Sequence, residues 1–199
     1  VGGALAQHAE ATVERIGAER LPVVRELFRN LVTAQGTRIV RDYDELLTIF
    51  GERRAEAETV LRALIDARLL TEYRERGEPR NGEVARRRVE IIHESLLSSW
   101  PRLERWQAQD AEGALLRDQL RQAAATWEER GRAADLLWAG TAYQEFSVWQ
   151  ERYPGALSAT EQAFAEAMRG HAQRRRRRQR IAVGALIAAL VAVIAVVTV

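Results

Sequence analysis

The residues best suited to chemistry in this sequence are His93 and Glu94. They follow a short β-branched run that favours a strand, and they precede apolar residues at helical spacing, with Ser95 as a candidate N-cap. This pattern predicts that His93 lies at a strand-to-helix corner, where its imidazole can point away from the core and contact a group outside the module. The alternative interpretation is a histidine that only ends the strand.

Composition excludes several kinds of chemistry. The chain of 199 residues contains no cysteine, which excludes disulfides, thiolate metal sites and cysteine nucleophiles. It also contains no lysine, so neither a G-x-x-x-x-G-K phosphate loop nor Schiff-base catalysis is possible within it. His8 and His171 stand alone, without a partner at metal-ligand spacing, and surface positions are predicted for both. We therefore expect no catalytic residue, no metal site and no enzyme activity in this chain.

The elements that position His93 follow an order typical of a winged helix. An apolar stripe repeats at three and four residues between 21 and 32, and Asp42 or Asp44 can cap a later helix that Gly51 ends. Two strand-like runs are joined by the turn-rich GEPRNGE, in which Asn81-Gly82 is a hairpin signal. The predicted order is helix (21–32), short strand (38–40), helix (42–50), helix (55–68) and a two-stranded ribbon (69–74 with 86–92).

After Pro101 the pattern is helical. Apolar stripes predict helices that end near Gly131 and near Tyr153-Pro154-Gly155, and Ser158 and Glu161 have the spacing of a capping box that opens another helix. The five tryptophans all lie between Trp100 and Trp149. At helical spacing they are typical of core anchors and not of a cofactor site.

The C-terminal residues combine a basic block with an apolar run. The block consists of Arg174, Arg175, Arg176, Arg177, Arg178 and Arg180, and residues 181–199 are apolar except for Gly184 and Thr198. About 19 residues of helix approach the thickness of a bilayer, so we predict a transmembrane helix, with a buried core helix as the alternative. The positive-inside rule then places residues 1–180 in the cytoplasm of a single-pass inner-membrane protein, with the arginines at anionic lipids.

The segment VEIIHESLLSSWPRLERW resembles the C-terminal half of bacterial STAND-type NTPases, as do WEERGR, LLWAG and LSATEQAF further along the chain. The resemblance implies an upstream NTPase domain in cis that binds ATP or ADP with magnesium, and a possible downstream WD-repeat β-propeller. Because the chain begins with Val1 and stops within an apolar run, we interpret it as an internal part of such a protein.

The resemblance also implies a role for the corner. In related STAND NTPases a histidine-acid pair, followed by two leucine-like residues, contacts the nucleotide phosphates and holds the ADP-bound resting state. His93-Glu94, followed after Ser95 by Leu96 and Leu97, resembles that motif, although Ile92 stands where related proteins often have methionine. The implied function is a membrane-tethered regulatory part of a signalling NTPase, in which the winged helix senses the nucleotide and the helices relay its state.

The predicted fold class is mainly α with a small β-hairpin: a winged-helix domain, a helical array and a C-terminal transmembrane helix. The predicted boundaries are 1–19 for a helical segment of a preceding domain, 20–100 for the winged helix, 101–172 for the helical domain, 173–180 for the basic flank and 181–199 for the membrane helix.

Two other functions remain open. The first is a membrane-bound winged-helix transcription regulator, although acids balance arginines over the presumed recognition helix, which is unfavourable for contact with DNA. The wing, with Arg86, Arg87 and Arg88, is more basic. The second is a helical adaptor that binds only a protein partner.

Overall fold

The computed structural model describes residues 2–75, 86–152 and 156–197. These residues form a mainly helical fold with one small sheet, which confirms the predicted mixture of helices and a β-hairpin. The elements are α1 Gly2–Ile16, α2 Leu21–Leu31, β1 Arg41–Asp42, α3 Tyr43–Thr48, α4 Arg54–Asp66, β2 Leu70–Glu75, β3 Arg86–Ile91, α5 Ser95–Ser99, α6 Pro101–Glu129, α7 Thr141–Arg152 and α8 Ala159–Val197.

The sheet has three antiparallel strands in the order β1-β3-β2. Val89 pairs with Glu72 on one side and with Arg41 on the other, so β3 is the central strand. The brief strand predicted at 38–40 lies slightly later, at Arg41–Asp42, and Asp42 is the residue that caps α3 through Oδ1. The predicted turn at Asn81-Gly82 lies outside the described residues.

The first hydrophobic core packs α1 to α5 against one face of the sheet. The predicted stripe of α2 is buried as expected, with Leu27, Phe28 and Leu31 fully enclosed. Val89 and Ile91 enter this core from β3, and Ala9 and Val13 enter it from α1. The core therefore fixes the strand that leads directly to His93.

A second core joins the C-terminal part of α6 to α7 and α8. Its largest members are Trp127, Phe146, Trp149 and Phe164. Trp127 and Phe164 meet edge to face with their ring centroids 5.5 Å apart. All five tryptophans pack within or against one of the two cores, as predicted. The predicted helix end at residues 153–155 lies outside the described residues.

α6 takes part in both cores. Leu103 near its beginning is buried in the first core, and Leu120 and Trp127 near its end are buried in the second. The indole Nε1–H of Trp149 donates to the carbonyl of Gly113, close to the middle of α6, at 3.1 Å. One continuous helix of 29 residues thus connects the two packed regions.

The prediction of a transmembrane helix at 181–199 is wrong. Within residues 2–75, 86–152 and 156–197, no helix has the combination of length and apolar content that crossing a bilayer requires. The apolar run continues α8, which begins at Ala159, and its described part ends at Val197.

The location predicted from that helix, a single-pass inner-membrane protein, is overturned by the same finding. Within the basic block, Arg174 and Arg177 are exposed, and Arg174 Nε donates to the carbonyl of Gly170 at 3.2 Å. The side chains of Arg175, Arg176, Arg178 and Arg180 lie outside the described ones.

Candidate functional site

The backbone on both sides of His93 is fixed by hydrogen bonds. β3 ends at Ile91, and the next amide, of Ile92, donates to the carbonyl of Leu69 at 3.2 Å. The carbonyl of His93 accepts from the amide of Leu96 at 3.0 Å, and this bond begins the turn into α5. The predicted strand-to-helix corner is therefore confirmed.

α5 is a short helix that two buried leucines hold in place. Leu96 is 1% exposed and Leu97 is 5% exposed, and Trp100 follows the helix at 1%. A helix of five residues has little stability of its own, so its position depends on this burial. The leucines that follow the histidine-acid pair thus anchor the corner to the first core.

The side chains of His93 and Glu94 are both exposed. In the part of the chain that the structure describes, neither forms a hydrogen bond or an ion pair. Glu94 occupies the N-cap position of α5 but already has helical dihedral angles, so its carboxylate caps no amide, and Ser95 is the first helical residue instead of the cap. Both side chains are accessible to a group outside the chain.

Arg38 also stabilises the corner, and no local sequence pattern predicts this contact. Its Nη1 donates to the carbonyls of Ile91 and Ile92, both at 3.3 Å. The same atom lies 3.5 Å from Glu90 Oε2. Because the two carbonyls belong to the residues immediately before His93, Arg38 fixes the direction in which the chain enters the corner.

The other end of α5 is tied to α1. Trp100 Nε1 donates to Glu10 Oε2 at 2.8 Å, and Arg102 Nε donates to Glu10 Oε1 at 3.0 Å. Arg102 is the main cause of a lowered pKa of the Glu10 carboxyl, and the bond from Trp100 lowers the pKa further. Trp100 also packs edge to face on Phe28, with the ring centroids 5.3 Å apart.

The remaining histidines do not contribute to this corner. His8 is exposed on α1, and its Nε2 lies at hydrogen-bond distance, 2.7 Å, from the carbonyl of Ala67 at the end of α4. His171 is half-buried on α8 instead of at the predicted surface. No group of three potential metal ligands occurs among the described residues.

The arginines of the ribbon are engaged with acids. Arg87 lies 3.4 Å from Asp44 and 3.5 Å from Glu72, and its guanidinium stacks 3.7 Å above the centre of the Tyr43 ring. Arg88 pairs with Glu75 at 2.7 Å. Arg62 pairs with Glu58 on α4, and Arg53, immediately before α4, pairs with Glu56. These pairs leave little uncompensated positive charge, which weighs against the alternative of DNA binding.

Comparison with models of known protein families gives one match. The model described as Novel STAND NTPase 1 matches residues 1–135, which is more than half of the chain. No curated protein and no solved structure matches it. The matched residues include the first core, the whole His93 corner and all of α6.

Proposed function

This chain belongs to the Novel STAND NTPase 1 family, and we propose that it is the nucleotide-sensing regulatory part of a signal-transduction NTPase. It contains no lysine and hence no phosphate loop of its own. The nucleotide would be held with magnesium by an NTPase domain upstream in the same protein. The role of this chain would be to recognise which nucleotide is present.

Residues 20–100 would act as a winged helix in this switch. The order α2, β1, α3, α4, β2, β3 is the order of such a domain, and the strand order β1-β3-β2 places the ribbon against the short first strand. The domain would hold the corner that follows β3 in a fixed position. The arginines of α4 and the ribbon are paired with acids, which favours this role over DNA binding.

The observation that carries the proposal is the state of His93. Its carbonyl accepts from the amide of Leu96 and the amide of the preceding Ile92 donates to Leu69, while the His93 side chain is exposed and has no partner among the described residues. Because the backbone of the corner is already fixed, the conformational entropy lost on binding would be limited to that of the side chain. An imidazole there can donate a hydrogen bond to a phosphate oxygen, and such charge-assisted bonds are stronger than neutral ones.

The proposed mechanism is a coupled equilibrium. When ADP occupies the upstream domain, His93 would contact a phosphate oxygen and stabilise the closed resting state. Reciprocity requires that the closed state also retains ADP more tightly. Glu94 would lie beside this contact, and α6 would carry the change onward because it belongs to both cores.

The test is the release of fluorescent ADP from the longer protein that includes the upstream NTPase domain. Loss of a charge-assisted hydrogen bond in His93→Ala should speed ADP dissociation about 10-fold. His93→Gln, which keeps a donor, should lie between that variant and the wild type. His171→Ala is the matched control and should release ADP at the wild-type rate. An unchanged rate in His93→Ala would show that His93 only ends the strand.

A further inference from the structure

A partly enclosed cavity of about 60 Å³ lies between α2 and α6, away from the His93 corner. Its lining is largely apolar, with Phe28, Leu103 and Trp106 contributing carbon surface. Three arginines and one acid complete it: Arg25, Arg29, Arg117 and Asp110. The cavity is thus an apolar space with an excess of positive charge.

Arg117 is the unusual member of this lining. Arg117 is only 8% exposed. Its Nε and Nη1 are buried and have no hydrogen-bond partner among the described residues. Burial lowers the pKa of the Arg117 guanidinium, and the nearby charge of Arg29 lowers that pKa further. A guanidinium left unpaired in such surroundings is costly for the fold.

The nearby acids are engaged elsewhere. Asp110 Oδ1 accepts from Arg25 Nη2 at 3.1 Å, and Asp110 Oδ2 lies 3.7 Å from Arg29 Nε. Asp118 accepts from the amide of Ala34 at 2.6 Å and from Arg121 Nη1 at 3.2 Å. None of these carboxylates reaches Arg117, so its charge is compensated only at a distance.

Glu26 is engaged as well. Its Oε2 lies 3.5 Å from Arg29 Nη1, and its Oε1 accepts from Asn30 Nδ2 at 3.0 Å. The acids of α2 and α6 therefore form a network that surrounds Arg117 without pairing with it.

We propose that this cavity binds a small carboxylate anion with a short apolar tail. The carboxylate would accept hydrogen bonds from Arg117, and the tail would lie against Phe28, Leu103 and Trp106. The volume lies between the 10–15 Å³ that hold one water and the roughly 150 Å³ that hold benzene, which is suitable for about four or five heavy atoms, as in propionate. The apolar lining favours such a ligand over an inorganic oxyanion.

The site would have a regulatory effect that does not depend on the His93 contact. Arg25 and Arg29 belong to α2, and Arg117 belongs to α6. An anion between them would strengthen the attachment of α6 to the first core. A small metabolite with a carboxylate would therefore stabilise the first core, which also carries the His93 corner, by binding at a separate site.

The test is the thermal unfolding of the 199-residue chain in sodium propionate and in sodium chloride at equal ionic strength. Binding to the folded state should raise the Tm by a few degrees at about ten times the Kd, and the Tm should continue to rise with the logarithm of the propionate concentration. The wild type, His93→Ala and the matched control Arg130→Met, an exposed arginine at the end of α6, should all show this rise. Arg117→Met should not show it.

A second measurement keeps the test decisive if Arg117→Met fails to fold. Titration of the wild-type chain with propionate should shift the NMR resonance of the Trp106 indole N–H saturably, and that resonance is identified by its loss in Trp106→Phe. Three results would each overturn the proposal: an equal rise in Tm in all variants, no saturable NMR shift in the wild type, or an NMR shift with sodium phosphate but not with propionate.

Discussion

The indole nitrogen of Trp100 donates to Glu10 Oε2 at 2.8 Å, which joins two residues 90 positions apart. Arg102 donates to the same carboxylate. Helix α1 is thereby attached to the junction between α5 and α6, immediately after the corner that carries His93.

The Glu10 contact predicts a specific dependence of stability on pH. The folded-state pKa of Glu10 lies below its ordinary value of 4.5, mainly because Arg102 donates to it. Its stabilisation should be fully present above pH 4.5 and should be lost as the pH falls through the lowered pKa. Urea unfolding should show the wild type more stable than Glu10→Gln at pH 7, with the difference shrinking below pH 4.5. A difference that stays constant down to pH 3 would contradict this assignment.

Two buried arginines on α6 should respond in opposite ways to replacement by methionine. Burial, followed by the charge of Arg41, lowers the pKa of Arg121 to about 10, yet Arg121 still pairs with Asp118 and lies 3.6 Å from Glu161. Arg121→Met leaves the buried Glu161 carboxylate without its cation and should cost about 3–5 kcal/mol.

Arg117→Met removes a charge that has no direct partner among the described residues, so in chloride buffer it should stabilise the fold by about 1 kcal/mol or more. Chemical denaturation of the two variants beside the wild type measures both effects. Destabilisation by both, to a similar extent, would show that the two arginines have equivalent surroundings.

The second core depends on Phe164, which is fully buried and contacts Trp127 and Trp138. Phe164→Ala should reduce the free energy of unfolding by about 3–5 kcal/mol, because it removes apolar contacts and leaves a cavity. Val148→Ala, at a position that is 51% exposed, is the control and should change stability by less than about 0.5 kcal/mol. Tryptophan fluorescence during urea unfolding reports both values.

The capping box at the beginning of α8 also attaches this helix to α3. The amide of Ser158 donates to Glu161 Oε2 at 2.8 Å, and Ser158 Oγ donates to Glu45 Oε1 at 3.2 Å. Ser158→Ala should cost about 1–2 kcal/mol. Thr160→Ala, two residues further along, should be close to neutral. Hydrogen exchange of the first amides of α8 would locate the loss, and equal effects of the two substitutions would exclude the cap as its cause.

Local patterns were sufficient for much of this fold. The spacing of Leu27, Phe28 and Leu31 predicted the buried face of α2, and Ser158 with Glu161 predicted the cap of α8, because each signal depends on neighbours within one or two turns. The corner at His93 was predicted for the same reason, from a β-branched run followed by helical spacing.

Contacts between distant residues could not be predicted in this way. Arg38 lies more than 50 positions before the carbonyls that it holds, and Glu10 lies 90 before Trp100. No periodicity marks such pairs. The apolar run after residue 180 led to a wrong prediction for a different reason. Its composition suggested a separate membrane span, whereas in the structure it continues α8, and no helix among the described residues qualifies as a span.

Helix α6 can transmit a rotation of one core to the other. Its 29 residues extend over roughly 43 Å, and its two ends are embedded in different cores. If the first core turned by about 5° relative to the second, a rigid rod of this length would move its far end by roughly 4 Å. The bond from Trp149 to the carbonyl of Gly113 lies near the midpoint of α6 and attaches it to α7. A small rotation of one core would therefore become a displacement of several ångströms at the other core, about as large as the rise of two or three helical residues.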